Sequence, residues 1–300
     1  IEGEKETGYA VAPGFSGGPV WDETSQGVVG MTVAADVKPG VRAAFAIPTQ
    51  TILASWPTLG VVLETSKRDR AIPLWMQDRI ETWTEGFVGR EYVFEAINAF
   101  LRREARGYFI VEGDPGMGKT ALLAEYARRT GCVVHFNVSA MQTDVKAFLS
   151  SIYMQLVARY DLTQHSLPTD AASLLELLVA ASKRLKPEEQ LVIAVDALDE
   201  VEGTAGGNIL YLPESLPADV YFILTKRRVE VPLTVKNTPT QPFNLLDFHD
   251  RSLQDVRDYI RIAAKRPRLK EWISQRIGST DEFVTTLAEK SLDNFMYVRY

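Results

Sequence analysis

A chain of 300 residues has room for about two domains at ~150 residues each. With 46% hydrophobic and 24% charged residues and a formal charge of -6, its composition is that of a globular protein in water. The acidic balance disfavours general nucleic-acid binding, and the single cysteine, Cys132, allows no internal disulfide and, with three histidines, no zinc cage. Basic clusters at Arg102, Arg103 and Arg106 and at Lys265, Arg266 and Arg268 read as solvated faces. No apolar run approaches the ~18 residues of a membrane span and no signal peptide is visible, so a cytoplasmic setting without a membrane partner is expected. The chain opens on Ile1 and closes on Tyr300 inside a helical pattern, which reads as an internal segment of something longer.

In chain order, the first 57 residues are poor in helix signals and rich in Gly, Pro, Val and Ala. The runs Gly27–Ala35 and Val41–Ile47, separated by Lys38-Pro39-Gly40, predict short strands of a small β-domain. Residues 58–85 read as a connector, with Pro57 and Pro73 breaking any long helix. From Phe87 the pattern alternates. Helices are predicted at Glu91–Arg103, Thr120–Arg129, Val145–Tyr160, Ala171–Leu185 and Leu253–Ala264, the last capped by Ser252 or Asp250. Strands are predicted at Tyr108–Val111, Val133–Val138, Leu191–Val195 and Val220–Leu224. This alternation implies an α/β fold over residues 86–300, a mostly parallel sheet with helices on both faces.

The most informative segment is GDPGMGKT: Gly113, Asp114, Pro115, Gly116, Met117, Gly118, Lys119 and Thr120. A phosphate-wrapping loop needs conformations that side chains block, which Gly113, Gly116 and Gly118 supply. Lys119 reaches the β- and γ-phosphates and the Thr120 hydroxyl takes Mg²⁺, at the start of a helix whose dipole favours anions. The loop by itself allows ATP or GTP. Downstream, LVIAVDALDE is an apolar strand ending in Asp196, placed to hold Mg²⁺ directly or through water. Either Asp199 or Glu200 could orient or deprotonate the attacking water. The neighbouring strand YFILTKRR should end at Thr225 and send Arg227 toward the phosphates.

These residues carry a resemblance. VDALDE, with a small residue after the first Asp and two further acids, resembles the NACHT branch of the STAND NTPases, which are signal-transducing relatives of AAA+ ATPases. GFVGRE at 86–91 resembles the motif that opens such modules, which implies that Phe87, Val88 and Arg90 line the nucleotide pocket. LTKR resembles the sensor motif carrying Thr225 and Arg227, and SLDNFMYVRY is similar to a helix near the module's end. The resemblance implies ATP or ADP with Mg²⁺, self-assembly into an oligomer, and a trigger sensed outside this segment. The common GxP motif is not evident.

Near the start, GFSGGP surrounds Ser16, a candidate nucleophile, with the Gly14 and Ser16 N–H groups as an oxyanion hole. Residues 9–56 resemble the C-terminal part of a trypsin-like serine peptidase. That resemblance implies a pocket with Ala10 at its base and Ala35 and Ala43 on its walls, Asp36 at the rim, and a polypeptide substrate. None of His135, His165 and His249 precedes Ser16, so this segment holds no complete triad. The joint expectation is a nucleotide-dependent switch gating a protease effector, as in bacterial relatives of immune receptors. Two alternatives are an oligomerising scaffold with an inactive peptidase part and an AAA+-like polypeptide motor.

Overall fold

The computed structural model describes residues 17–22, 27–35, 44–56, 72–137, 144–201 and 207–299. Gly14 and Ser16, with Ala10, Asp36 and Ala43, lie outside the described residues. The chain divides into two units, residues 1–66 and 67–300.

In the first unit, β1 (Pro19–Asp22), β2 (Gly27–Ala35) and β3 (Ala44–Pro48) form an antiparallel sheet in that order. A Cβ at Gly30 would stand 2.8 Å from the Ile47 carbonyl oxygen, so β2 and β3 pair closely only because this position has no side chain. The helix α1 (Thr49–Ser55) follows directly, and Thr49 Oγ1 ties its start to the Val28 carbonyl at 2.9 Å.

In the second unit, β4 (Gly107–Glu112), β5 (Val133–Phe136), β6 (Leu191–Asp196), β7 (Val220–Lys226) and β8 (Thr240–Asn244) make one parallel sheet ordered β5-β6-β7-β4-β8. The apolar runs noted in the sequence alternate between two cores. Phe109, Val111, Val134, Val192 and Ile223 pack with α2 (Leu74–Thr84), α3 (Glu91–Arg103) and α4 (Lys119–Thr130). Tyr108, Ile110, Val133, Ile193 and Phe222 pack with α5 (Val145–Tyr160) and α6 (Ala171–Ser182) on the other face. A strand buried on both faces gains little from alternation in polarity, which is why these segments read as continuous apolar runs.

Two expectations are corrected and one strand is added. The connector is not loose throughout, since Pro73 stands at the N-cap of α2, where a proline starts a helix instead of breaking one. Met76 and Ile80 of that helix enter the core, and Trp83 meets Phe136 edge-on at 4.8 Å. Neither Ser252 nor Asp250 caps α7 (His249–Ala263), whose N-cap is Phe248; Ser252 lies buried inside the first turns, bonded elsewhere. Strand β8 was not anticipated, because TQPFN is short and contains Pro242; at the sheet edge a missing N–H is tolerated.

Beyond the sheet, α7 is joined by α8 (Pro267–Arg276), α9 (Thr280–Ser291) and α10 (Phe295–Arg299) into a helical cap. Its small core centres on Val256, Ile260, Val284 and Ala288.

Candidate nucleotide site

The loop after β4 turns through Gly116 (φ 84°) and Gly118 (φ 82°) and delivers Lys119 as the first residue of α4. Lys119 Nζ donates to the loop's own carbonyls, Gly113 at 2.7 Å and Asp114 at 3.0 Å. The ammonium therefore braces the loop that an anion would enter. Burial lowers its pKa, against the nearby charges of Asp196, Asp199 and Asp114.

Asp196 sits at the carboxyl end of β6, 3% exposed. Thr120 Oγ1 donates to its Oδ2 at 2.7 Å and Thr225 Oγ1 to its Oδ1. Burial raises the Asp196 pKa; these hydroxyls and the Lys119 charge act in the opposite sense. A buried carboxylate held by neutral hydroxyls is short of positive charge. A divalent cation bound by one carboxylate, one hydroxyl and phosphate oxygens suits that deficit, since Mg²⁺ takes few protein ligands. Among the described residues no cluster of three His, Cys, Asp or Glu could hold a metal without such help. The small residue after Asp196 has a physical reason: Ala197 adopts φ 50°, and its N–H is held by Thr225 Oγ1 at 2.9 Å.

The two acids in the next turn, a 3-10 helix at Leu198–Glu200, differ sharply. Both Asp199 oxygens are taken by Arg227, Oδ1 by the backbone N–H at 2.8 Å and Oδ2 by Nε. Burial would raise the Asp199 carboxyl, but the Arg227 bonds outweigh it and hold the pKa below the usual carboxylate value. Glu200 is exposed and, among the described residues, accepts no hydrogen bond. Arg228 forks onto Asp114 of the loop, at 3.0 and 3.1 Å.

Arg90 lines the cavity and also braces the fold around it. Its side chain is buried, and its guanidinium donates to Tyr92 Oη, to Ser252 Oγ at 2.8 Å and to the Met117 carbonyl at 2.7 Å. Its N–H donates to Asp255 at 3.0 Å, and a Cβ at Gly89 would stand 2.1 Å from that same carboxylate. The glycine before Arg90 is thus required by α7 as well as by its own φ of 76°. Arg90 ties the entry segment, the loop and the cap together. The cap also touches the loop directly: Phe295 N–H donates to the Gly116 carbonyl at 2.9 Å and Asn294 Nδ2 to Pro115 at 3.3 Å.

Between loop, sheet edge and cap lies a cavity of about 460 Å³, within the range of small-molecule sites. It is lined by Phe87, Val88 and Arg90, by Pro115, Gly116, Gly118, Lys119 and Thr120 of the loop, and by Asp196, Asp199, Glu200, Thr225 and Arg227. Gly113, Asp114 and Met117 shape the loop from behind: Gly113 backs onto Leu245, and Met117 is buried in the core. Lining residues that sequence reasoning did not single out include Trp83, Ala121, Tyr259 and Met296. Trp83 was assigned to the connector, and no local pattern marks Tyr259.

Residues 86–206 match the AAA ATPase domain. NACHT and WD repeat domain-containing protein 2 is 30% identical over 157 residues, in mouse and in human alike. The match covers 45% of this chain, and the chain spans 9% of the length of those relatives. A solved structure of Drosophila ORC bound to DNA shares 15% identity at a TM-score of 0.40, covering 74% of this chain and 60% of that one. The phosphate loop at the head of α4, the acid at the end of β6 and the AAA ATPase domain match make the second unit a P-loop NTPase of α/β fold.

Proposed function

We propose that this chain is a nucleotide-dependent switch that binds ATP, hydrolyses it slowly, and couples the bound nucleotide to the position of the helical cap. The observation that carries this reading is the docking of the cap on the phosphate loop itself, through Phe295 on Gly116 and Asn294 on Pro115. A nucleotide entering the cavity meets both elements, so its free energy can favour one cap position over another. Such a shift requires different affinities for the two states. Thr120 and Asp196 would hold Mg²⁺, which supplies charge neutralisation at the phosphates.

The effector part of the proposal rests on the resemblance of residues 9–56 to the end of a trypsin-like peptidase, with Ser16 as nucleophile and Gly14 in the oxyanion hole. Strands β2 and β3 followed by α1 are compatible with that resemblance. Self-assembly, a trigger sensed elsewhere, a polypeptide substrate and a defence role belong to the same proposal. The test is twofold. Mg²⁺-dependent ATP hydrolysis should be measurable and should vanish in Lys119→Ala. In the full-length protein with its trigger, cleavage of a peptide with Ala or Val before the scissile bond should require both Ser16 and Lys119. Full proteolysis in Lys119→Ala would leave two independent domains and no switch.

A further inference from the structure

Helix α6 is apolar on two sides. Leu174, Leu177, Leu178 and Ala181 face inward and are buried in the core that α6 shares with α5 and the sheet. The positions left over are not the charged set of an ordinary surface helix, since Glu176 is the only charged residue between Ala171 and Ser182. Ala172, Leu175, Glu176, Val179, Ala180 and, just past the last turn, Lys183 recur at the three- and four-residue spacing of one helical face. They line a groove of about 580 Å³ that the turn after α5 helps to complete. None of them lines the nucleotide cavity. Leu175, Val179 and Ala180 are half-buried and Ala172 is exposed, although a helix apolar all round is ordinarily a buried one. The two charges on this face, Glu176 and Lys183, are exposed, and their side chains make no ion pair or hydrogen bond among the described residues.

We infer that this face of α6 docks on the same face of a second copy of the chain, the two helices running antiparallel about a twofold axis between Val179 and Ala180. Such an axis sets Val179 of each copy on Ala180 of the other. It also sets Glu176 of each copy on Lys183 of the other, because these two positions are equally spaced about it. The patch is therefore self-complementary: two equivalent ion pairs flank an apolar centre, and the contact closes at two copies. Parallel pairing would instead put Glu176 on Glu176 and Lys183 on Lys183, and like charges disfavour it. A second copy carries, by symmetry, the base for each acid and the acid for each base. From Ala172 to Lys183 the stripe runs ~16 Å along the helix. A contact of that length buries less than the ~1,000 Å² of a permanent interface, so the pair is transient, with a Kd on the order of 10–100 µM. The inference gives a face to the self-assembly proposed above and rests on that part of the proposal.

Sedimentation equilibrium of the whole chain, without nucleotide, reads this pairing directly. The parent should pass from monomer to dimer as its concentration rises through about 10–100 µM. Glu176→Lys and Lys183→Glu should each weaken the dimer about tenfold or more, since each sets like charges together at both ends of the contact. The variant carrying both changes should recover the parent's Kd to within about threefold. An equimolar mixture of the two single variants should likewise pair with each other more tightly than either pairs with itself. Damage to α6 itself would not be reversed by a second charge change, so single variants that stay weak in the double variant overturn the antiparallel register. If the parent dimerises and the single variants dimerise equally well, copies meet elsewhere, and the inference falls while self-assembly stands. A parent that stays monomeric up to about 1 mM also overturns it. Repeating that run with Mg²⁺ and ATP separates the two readings, because assembly appearing only then keeps the self-assembly proposal without this face.

Discussion

The carboxyl edge of the sheet and the helical cap both face the same cavity, yet they are held in place by very different means. Asp196 and Thr225 stand on strands buried on both faces between two large apolar cores, and Lys119 opens a helix packed into the first of them. The cap has a core of four buried residues, Val256, Ile260, Val284 and Ala288, and reaches the loop through backbone contacts and the Arg90 network. Free energies of local opening track how much apolar surface an element buries. The phosphate end is therefore preorganised, whereas the cap, with its small core, is the part that the proposed switch requires a ligand to move.

The largest expected effect breaks the fixed side. Lys119→Ala removes the loop's only cation and should weaken nucleotide binding about a hundredfold or more, read by isothermal titration, with the cap's fold intact. Ile260→Ala attacks the mobile side. Truncating this fully packed residue should cost about 2–4 kcal/mol, and hydrogen exchange should accelerate in α7 and α9 while β4, β6 and β7 stay protected. Uniform acceleration across the sheet would show that cap and sheet are one cooperative unit, and the contrast would be lost. A subtler cut is Asn294→Ala. The Asn294 side chain accepts from Met296 N–H at 2.9 Å at the start of α10 and donates to Pro115. Its loss should cost about 1 kcal/mol and speed nucleotide release severalfold in stopped-flow measurements. An unchanged release rate would detach the cap from gating.

The smallest effect concerns Asp196, whose folded pKa is raised by burial. A carboxyl group with a raised folded pKa binds protons more tightly in the native state. Its ionisation therefore opposes folding as pH rises, and that cost is relieved as pH falls through the folded value. Asp196→Asn should melt higher than the parent at pH 7 without nucleotide, by about 2–4 °C for each 1 kcal/mol relieved. The gain should shrink in acid, where the parent's own carboxyl is protonated. Asp199 has the opposite sign. Its depressed pKa means that its pair with Arg227 stabilises the fold above the unfolded carboxylate value and is lost as pH falls through the folded one. Opposite pH trends in two acids three positions apart would express the difference between a group that waits for a cation and one that already holds its own.

Much of the fixed side is legible in the sequence. Helices α3 and α5 run over the residues that their apolar spacing predicts, and β7 lies beside β6 as its apolar run suggests. Less was legible on the mobile side. The tail SLDNFMYVR was marked by resemblance alone; on the fixed side, α2 was hidden because a proline reads as a breaker unless its place at a helix start is seen.

What the sequence by itself determined is local chemistry. A loop that must expose backbone N–H groups needs glycine at set positions, and a buried acid at the end of an apolar strand announces itself within ten contiguous residues. Only the tertiary structure decided which groups are spent on one another. Arg90 meets Ser252 across 162 positions, and Asn294 meets Pro115 across 179. Asp199 and Glu200 are neighbours with similar intrinsic acidity, and nothing in their spacing tells which one the backbone amide and guanidinium of Arg227, just past β7, will capture. Role follows the free partner that remains after folding, and that remainder is a property of three-dimensional packing.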